Sequence, residues 1–162
     1  MRHTELESAI RLRENGDFQE AGSVLARLLQ EAPEDAEANH QMAWLYDVQG
    51  CEREAVPYYA RAIAGDLSGE QRRSALLGLG STYRALGDYQ EAVEVLRQGV
   101  SEFPADRAMQ TFLAIALYNI GKDRQAVDLL LKNLVETTSD PGIKSYEKAF
   151  RFYAGRLDEV WR

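Results

Sequence analysis

Histidine and cysteine, the side chains best suited to zinc ligation and thiol chemistry, are few in this chain of 162 residues: His3, His40 and Cys51. A metal centre needs several ligands at set spacings. Neither histidine stands in a His-Glu-x-x-His pattern, and a lone cysteine completes no zinc set. Cys51 falls at a predicted helix start, where the macrodipole favours the thiolate, but no histidine or second cysteine stands close to it in sequence. One cysteine cannot make a disulfide within the chain, which fits a reducing, cytoplasmic setting. Gly78, Gly80 and Gly87 belong to helix contacts and a turn and form no phosphate-binding loop. No catalytic residue, metal ligand or cofactor is predicted, and the chain reads as a non-enzyme. His40 and Trp44 are four apart, so their rings should stack on one helical face, which leaves His40 open as a contact, a pH-sensitive residue or a plain hydrogen-bonded surface histidine.

The elements that position these residues are helices in pairs. Across residues 76–104, Leu76, Leu79, Gly80 and Tyr83 recur at the spacing of one helical face. Gly87 accepts the left-handed backbone of a helix end, and Asp88 can cap the next helix. Ala92, Val93, Leu96 and Val100 form a second apolar stripe, which Pro104 closes. The unit repeats. Turn glycines recur at Gly16, Gly50, Gly87, Gly121 and Gly155, at spacings of 34, 37, 34 and 34. Five residues after the first four come Ala21, Ala55, Ala92 and Ala126. Seven before them stand Ala9, Ala43, Gly80 and Ala114, small enough for two helices to approach closely.

Composition fits an almost wholly helical chain, 45% hydrophobic with four prolines. No run approaches the roughly 18 apolar residues of a membrane span. Residues 1–15 have no continuous apolar core and do not read as a secretory signal. Net charge is −7, which argues against nucleic acid as the main partner. Residues 1–40 are acidic, whereas residues 107–162 are basic and hold all four lysines, so a head-to-tail or basic-partner contact is open alongside plain solvation.

Along the chain, Asp17 is expected to cap the second helix of the first pair. In the second pair Cys51 replaces the usual capping Asp, and Pro57 falls one turn into the helix at the cost of a backbone hydrogen bond. Ser68 with Gln71 offers a capping box that lengthens the following helix. In the fourth pair Val127, Leu130 and Leu134 are expected on the packed stripe, and Thr138 stands where proline closes other units. Asp140 and Pro141 start a last helix over 141–154 that reads as a terminal cap. Ile143, Phe150 and Ala154 should cover the fourth pair, with Lys148 and Arg151 facing water.

Leu76-x-x-Leu79-Gly80-x-x-Tyr83, Ala92-x-x-x-Leu96 and Pro104 resemble the tetratricopeptide repeat, with Leu where that family prefers Trp and Phe. The resemblance spans nearly the whole chain as one domain, with units 2–35, 36–69, 73–106 and 107–140 and a partial unit or cap at 141–162. It implies an all-α, right-handed superhelical solenoid of antiparallel helix hairpins. It also implies a concave groove, lined by the first helix of each pair, that binds peptides or proteins. Groove positions carried over by register are Glu37, His40, Gln41, Trp44, Asp47 and Val48 in the second unit. In the third they are Ser74, Leu77, Gly78, Ser81, Arg84 and Ala85, and in the fourth Ala108, Thr111, Phe112, Ile115, Tyr118 and Asn119.

Aromatic and aliphatic anchors beside hydrogen-bonding groups, with one fixed charge at Arg84, suit a segment carrying apolar side chains and an acidic group. The carboxylate clamp of chaperone-binding members is absent, since Leu6, Ile10, Gln41, Ser74 and Gly78 occupy its positions. The resemblance therefore implies an adaptor with a protein or peptide partner, no nucleic acid and no membrane. Two alternatives stand beside it. Tyr146, Phe152, Tyr153 and Trp161 crowd the end of the chain and could pair two copies as a homodimer or fold over as a lid. A small secretion-type chaperone shares the size and acidity.

Overall fold

The computed structural model describes residues 2–161. Those residues are all-helical, with no strand, and no helix among them is long and apolar enough to cross a membrane. The chain divides into two compact units, Met1–Asp88 and Tyr89–Arg162.

The first unit contains α1 (Arg2–Asn15), α2 (Phe18–Glu31), α3 (Ala36–Val48), α4 (Glu52–Ala64) and α5 (Gly69–Leu86). Its core gathers Leu6, Ala9, Ala21, Leu25, Leu28, Ala38, Met42 and Leu45. The small residues Ala9 and Ala43 are fully enclosed, as close helix packing requires. The turn glycines work as the spacing predicts. Gly16, Gly50 and Gly87 have φ of 88°, 70° and 85°. After each, the next amide donates to the carbonyl five residues back: Asp17 to Leu12, Cys51 to Tyr46 and Asp88 to Tyr83, at 2.8, 3.0 and 2.9 Å. This bond satisfies a carbonyl that a helix end otherwise leaves orphaned.

Capping differs in places from expectation. Asp17 holds the N-cap position of α2, but its side chain makes no capping bond; only its carbonyl accepts, from Ala21. Ser68 likewise makes no side-chain cap, and Gln71 instead donates to Glu37, although α5 does have the expected extra length at 18 residues. Asp35 does cap, accepting the Ala38 amide at 2.7 Å. Pro57 lies inside α4, which runs on to Ala64. Fully buried Asn39 pins the approach to α3, donating to the Pro33 and Asp35 carbonyls at 2.8 Å each.

The second unit contains α6 (Tyr89–Glu102), α7 (Arg107–Asn119), α8 (Asp123–Thr137), α9 (Pro141–Ser145) and α10 (Glu147–Tyr153). Ala92, Val93, Leu96, Met109, Leu113, Ala114 and Leu117 form its core. Gln110 repeats the role of Asn39, donating to the Pro104 carbonyl at 2.7 Å, and Asp106 caps α7. Gly121 repeats the glycine turn, with φ 72°.

Two expectations about the chain end are corrected. Val127, Leu130 and Leu134 are exposed; of the expected stripe Ala126 is buried, and Asn133 and Val135 are buried with it. The register of α8 is set by α7, and the seven-residue α10 is too short to cover the rest of its apolar surface. The last helix is also not continuous. It breaks at Tyr146 (φ −103°, ψ 10°), beside Ser145, whose hydroxyl donates to the Gly142 carbonyl. Asp140 and Pro141 do start α9 as read, with Asp140 accepting the Ile143 amide at 2.8 Å. Thr138 replaces proline by ending α8 in extended conformation and accepting the Asp140 amide. Lys148 and Arg151 are exposed, and Arg151 pairs with Glu147 and Glu136.

Candidate functional site

Within the first unit α3 packs beside both α1 and α5, so residues of these three helices share one side. In the first unit Trp44 stands on α3 and is 38% exposed, its ring fixed by two neighbours. The Arg13 guanidinium, reaching over from α1, lies 3.8 Å from the ring centroid. His40, one turn back on α3, stacks against Trp44 with centroids 6.1 Å apart and planes 24° apart, as the i, i+4 spacing predicts. An aromatic side chain already ordered before contact loses less entropy when a partner covers it.

The accessibility expected of His40 and Gln41 is corrected. His40 is 3% exposed, with the rings of Trp44 and Tyr59 against it, and Gln41 is buried beside it in sequence. Neither ring nitrogen of His40 nor Oε1 of Gln41 has a hydrogen-bond partner among the described residues. Burial, then the Arg13 charge, lowers the His40 pKa from 6.5 to about 4, against a smaller pull from Glu37. The imidazole is therefore neutral at pH 7.

Asp47 serves the fold, although register places it on the groove. It accepts the Tyr59 hydroxyl at 2.7 Å and the Thr82 hydroxyl at 2.9 Å, so one carboxylate ties α3 to α4 and α5. Burial raises its pKa, while these two hydrogen bonds pull the other way. Burial beside the same carboxylate pushes the Tyr59 phenol up, which keeps it a donor. On α5, Leu77 and Ser81 are half-buried, and the Ser81 hydroxyl donates to the Gly78 carbonyl. Arg84 is half-buried with its Nε enclosed and unpartnered.

In the second unit the corresponding face is carried by α7. Ile115 and Tyr118 are exposed, Phe112 is half-buried beside them, and the Thr111 hydroxyl donates to the Arg107 carbonyl. Asn119 is half-buried, with Oδ1 enclosed and unpartnered. At the chain end Trp161 folds back on Phe152 and Tyr153, with centroids 5.2 and 5.4 Å away. Tyr146, Phe152, Tyr153 and Trp161 all remain substantially exposed after this packing.

The structure adds Arg13 and Tyr59 to the residues named from sequence. Arg13 precedes its turn glycine by three, as do Asp47, Arg84 and Tyr118, so the repeat register alone could have found it. Tyr59 comes from a second helix of a pair, and no register rule points there. His3 lies apart, lining a cleft of about 530 Å³ with Glu34, Asp35, Glu37 and Asp66. Among the described residues no cluster of three or more His, Cys, Asp or Glu side chains is placed to hold a metal ion. Cys51 is half-buried and contacts the Gln49 carbonyl oxygen at 3.9 Å.

The family model described as Tetratrico peptide repeat matches residues 36–157. Among solved structures, MamA from Desulfovibrio magneticus RS-1 is 18% identical, with a TM-score of 0.74 over 86% of this chain and 78% of that one. A kinesin light chain protein from Podosopora anserina with nearly identical repeats is 26% identical, with a TM-score of 0.67 over 96% and 87%. YrrB, described as a repeat protein with an unusual peptide-binding site, is 18% identical, with a TM-score of 0.74 over 96% and 77%. At such identities the likeness speaks for the fold. No curated protein matches the chain.

Proposed function

We propose that this chain, which belongs to the tetratricopeptide repeat family, is a non-enzymatic adaptor that holds a peptide or protein segment on its leading-helix faces. Trp44, Leu77, Ser81 and Arg84 make the contacts in the first unit, with His40 and Gln41 beneath them. Thr111, Phe112, Ile115, Tyr118 and Asn119 make them in the second. The observation that carries this reading is Trp44, a large aromatic ring left open to solvent yet held by Arg13 and His40. Ordered, partly open aromatic side chains are the usual centres of binding energy. The peptide-binding site ascribed to YrrB, which shares this fold, supports the same class of ligand.

Selection of a displayed random-peptide library on the whole chain is expected to enrich binders with apolar side chains. Trp44→Ala and Phe112→Ala should each weaken their binding by about tenfold or more while helical circular dichroism is kept. Binders indifferent to both substitutions would end the reading.

A second reading, self-association, is favoured by the chain end, where Phe152, Tyr153 and Trp161 form a ring cluster still open to solvent. On that reading the wild-type chain sediments as a dimer and a Phe152→Ser, Trp161→Ser double variant as a monomer. A monomeric wild type at high concentration removes it.

A further inference from the structure

Arg13 is in the last turn of α1, and its guanidinium is carried across to α3, where it lies against Trp44. The residue is only 8% exposed. A guanidinium has five N–H donors in its plane, and an aromatic ring satisfies only the face of that plane. Here Nε is enclosed with no partner, and the contact of the terminal nitrogens with Glu14 is longer than a hydrogen bond. Arg13 comes within ion-pair range of one described carboxylate, that of Glu14, at 3.7 Å on a side chain that is itself 61% exposed. The other acids of this face are engaged elsewhere: Asp47 holds Tyr59 and Thr82, and Glu37 accepts from Gln71. Beside Arg13, His40 and Gln41 keep buried polar atoms without partners.

A buried charge without a close counter-ion weakens a fold, so its presence beside an open tryptophan calls for a ligand. We propose that Arg13 takes a carboxylate of the bound segment, end-on from the exposed Glu14 side, while an apolar group of the same segment covers Trp44. Carboxylates match the planar fork of arginine with two parallel hydrogen bonds. This inference rests on the reading of the Trp44 face as the binding face. The carboxylate comes from an acidic side chain or from a chain end.

The test is nitrogen-edited NMR of the whole chain, following the Arg13 Nε–H and Trp44 indole signals. The probes are N-acetylglutamic acid α-amide for a side-chain carboxylate and N-acetylleucine for a chain end. N-acetylglutamine amide and N-acetylleucine amide are the uncharged controls. Saturable shifts of both signals are expected with at least one acid and with neither amide, and which acid acts identifies the source. Arg13→Met should abolish the response, with a melting temperature no lower than wild type because a buried charge is gone. Arg13→Lys should keep part of the response and guards against a misfolded methionine variant.

Equal shifts with the amides, no saturable shift with either acid, or a response surviving in folded Arg13→Met would overturn the inference. Peptides from the display selection separate the two readings. Binding lost in Trp44→Ala but unchanged in Arg13→Met sinks the carboxylate inference alone. Binding indifferent to Trp44 sinks the binding face itself. The outcome expected for acidic selected peptides is a loss of about tenfold or more in Arg13→Met.

Discussion

Replacing Gly78 with alanine is expected to destabilise the first unit by about 2 to 3 kcal/mol. A Cβ at this point of α5 would lie 2.5 Å from both Cζ and Oη of Tyr59. Tyr59 is buried, and its hydroxyl is fixed by a 2.7 Å bond to Asp47, so the ring cannot retreat without giving up that bond. Overpacking costs about 1 to 3 kcal/mol, and a lost hydrogen bond to a charged group about 1.5 to 3 kcal/mol. Against these stands about 1 kcal/mol of helix propensity gained by alanine over glycine. Gly99→Ala is the internal comparison. Its Cβ would meet Met109 Sδ at 2.7 Å, but a thioether chain has three torsions with which to move aside, so a change within about 1 kcal/mol is expected. Urea unfolding of the two variants measures the difference. Equal midpoints would show that the Tyr59 ring is free to shift and that Asp47 does not fix it.

Acidification from pH 7 to pH 4 is expected to remove about 3 kcal/mol of stability through His40. The folded chain holds this imidazole neutral, with its pKa lowered from 6.5 to about 4, whereas in the unfolded chain it titrates normally. Between those two values the unfolded state binds the extra proton, so stability falls as pH falls through this window and levels off below about 4. At pH 7 the effect is absent. Asp47 acts in the opposite sense. Its raised pKa means that the folded state takes up a proton more readily than the unfolded one, which offsets part of the loss as pH approaches the ordinary carboxylate range. Urea midpoints across this range for wild type and His40→Phe isolate the histidine. The variant keeps a ring for Trp44 to stack on and should show a flatter profile. Parallel profiles would mean that His40 is open enough in solution to titrate normally.

Both effects lie beneath the surface that the repeat register marks as a binding face, and this explains what could be read in advance. Local chain geometry was legible because it has local causes. A glycine that takes positive φ ends a helix wherever it stands, and small residues at Ala9, Ala43 and Ala114 mark close approach. The periodicity of Leu76, Leu79 and Tyr83 identifies one helical face without reference to any neighbour. From these the helix pairs, their turns and the family followed, as did the i, i+4 stack of His40 on Trp44.

Depth was not legible. Whether His40 lies in the open or under cover depends on Tyr59, whose ring is brought against it from another helix. The same limit applies to Asp47. Its register position matches Arg84 and Tyr118, yet a hydroxyl from each of two other helices converts it from a candidate contact into an internal acceptor. Along α8, the alternation of apolar residues could not say that Val127, Leu130 and Leu134 would lack cover, because that depends on the length of the helix that follows. The amino-acid order determined where each helix begins, turns and ends, since those choices are made within a few residues. Only tertiary packing decided which polar groups are enclosed and which ring stays open, since burial depends on neighbours distant in sequence.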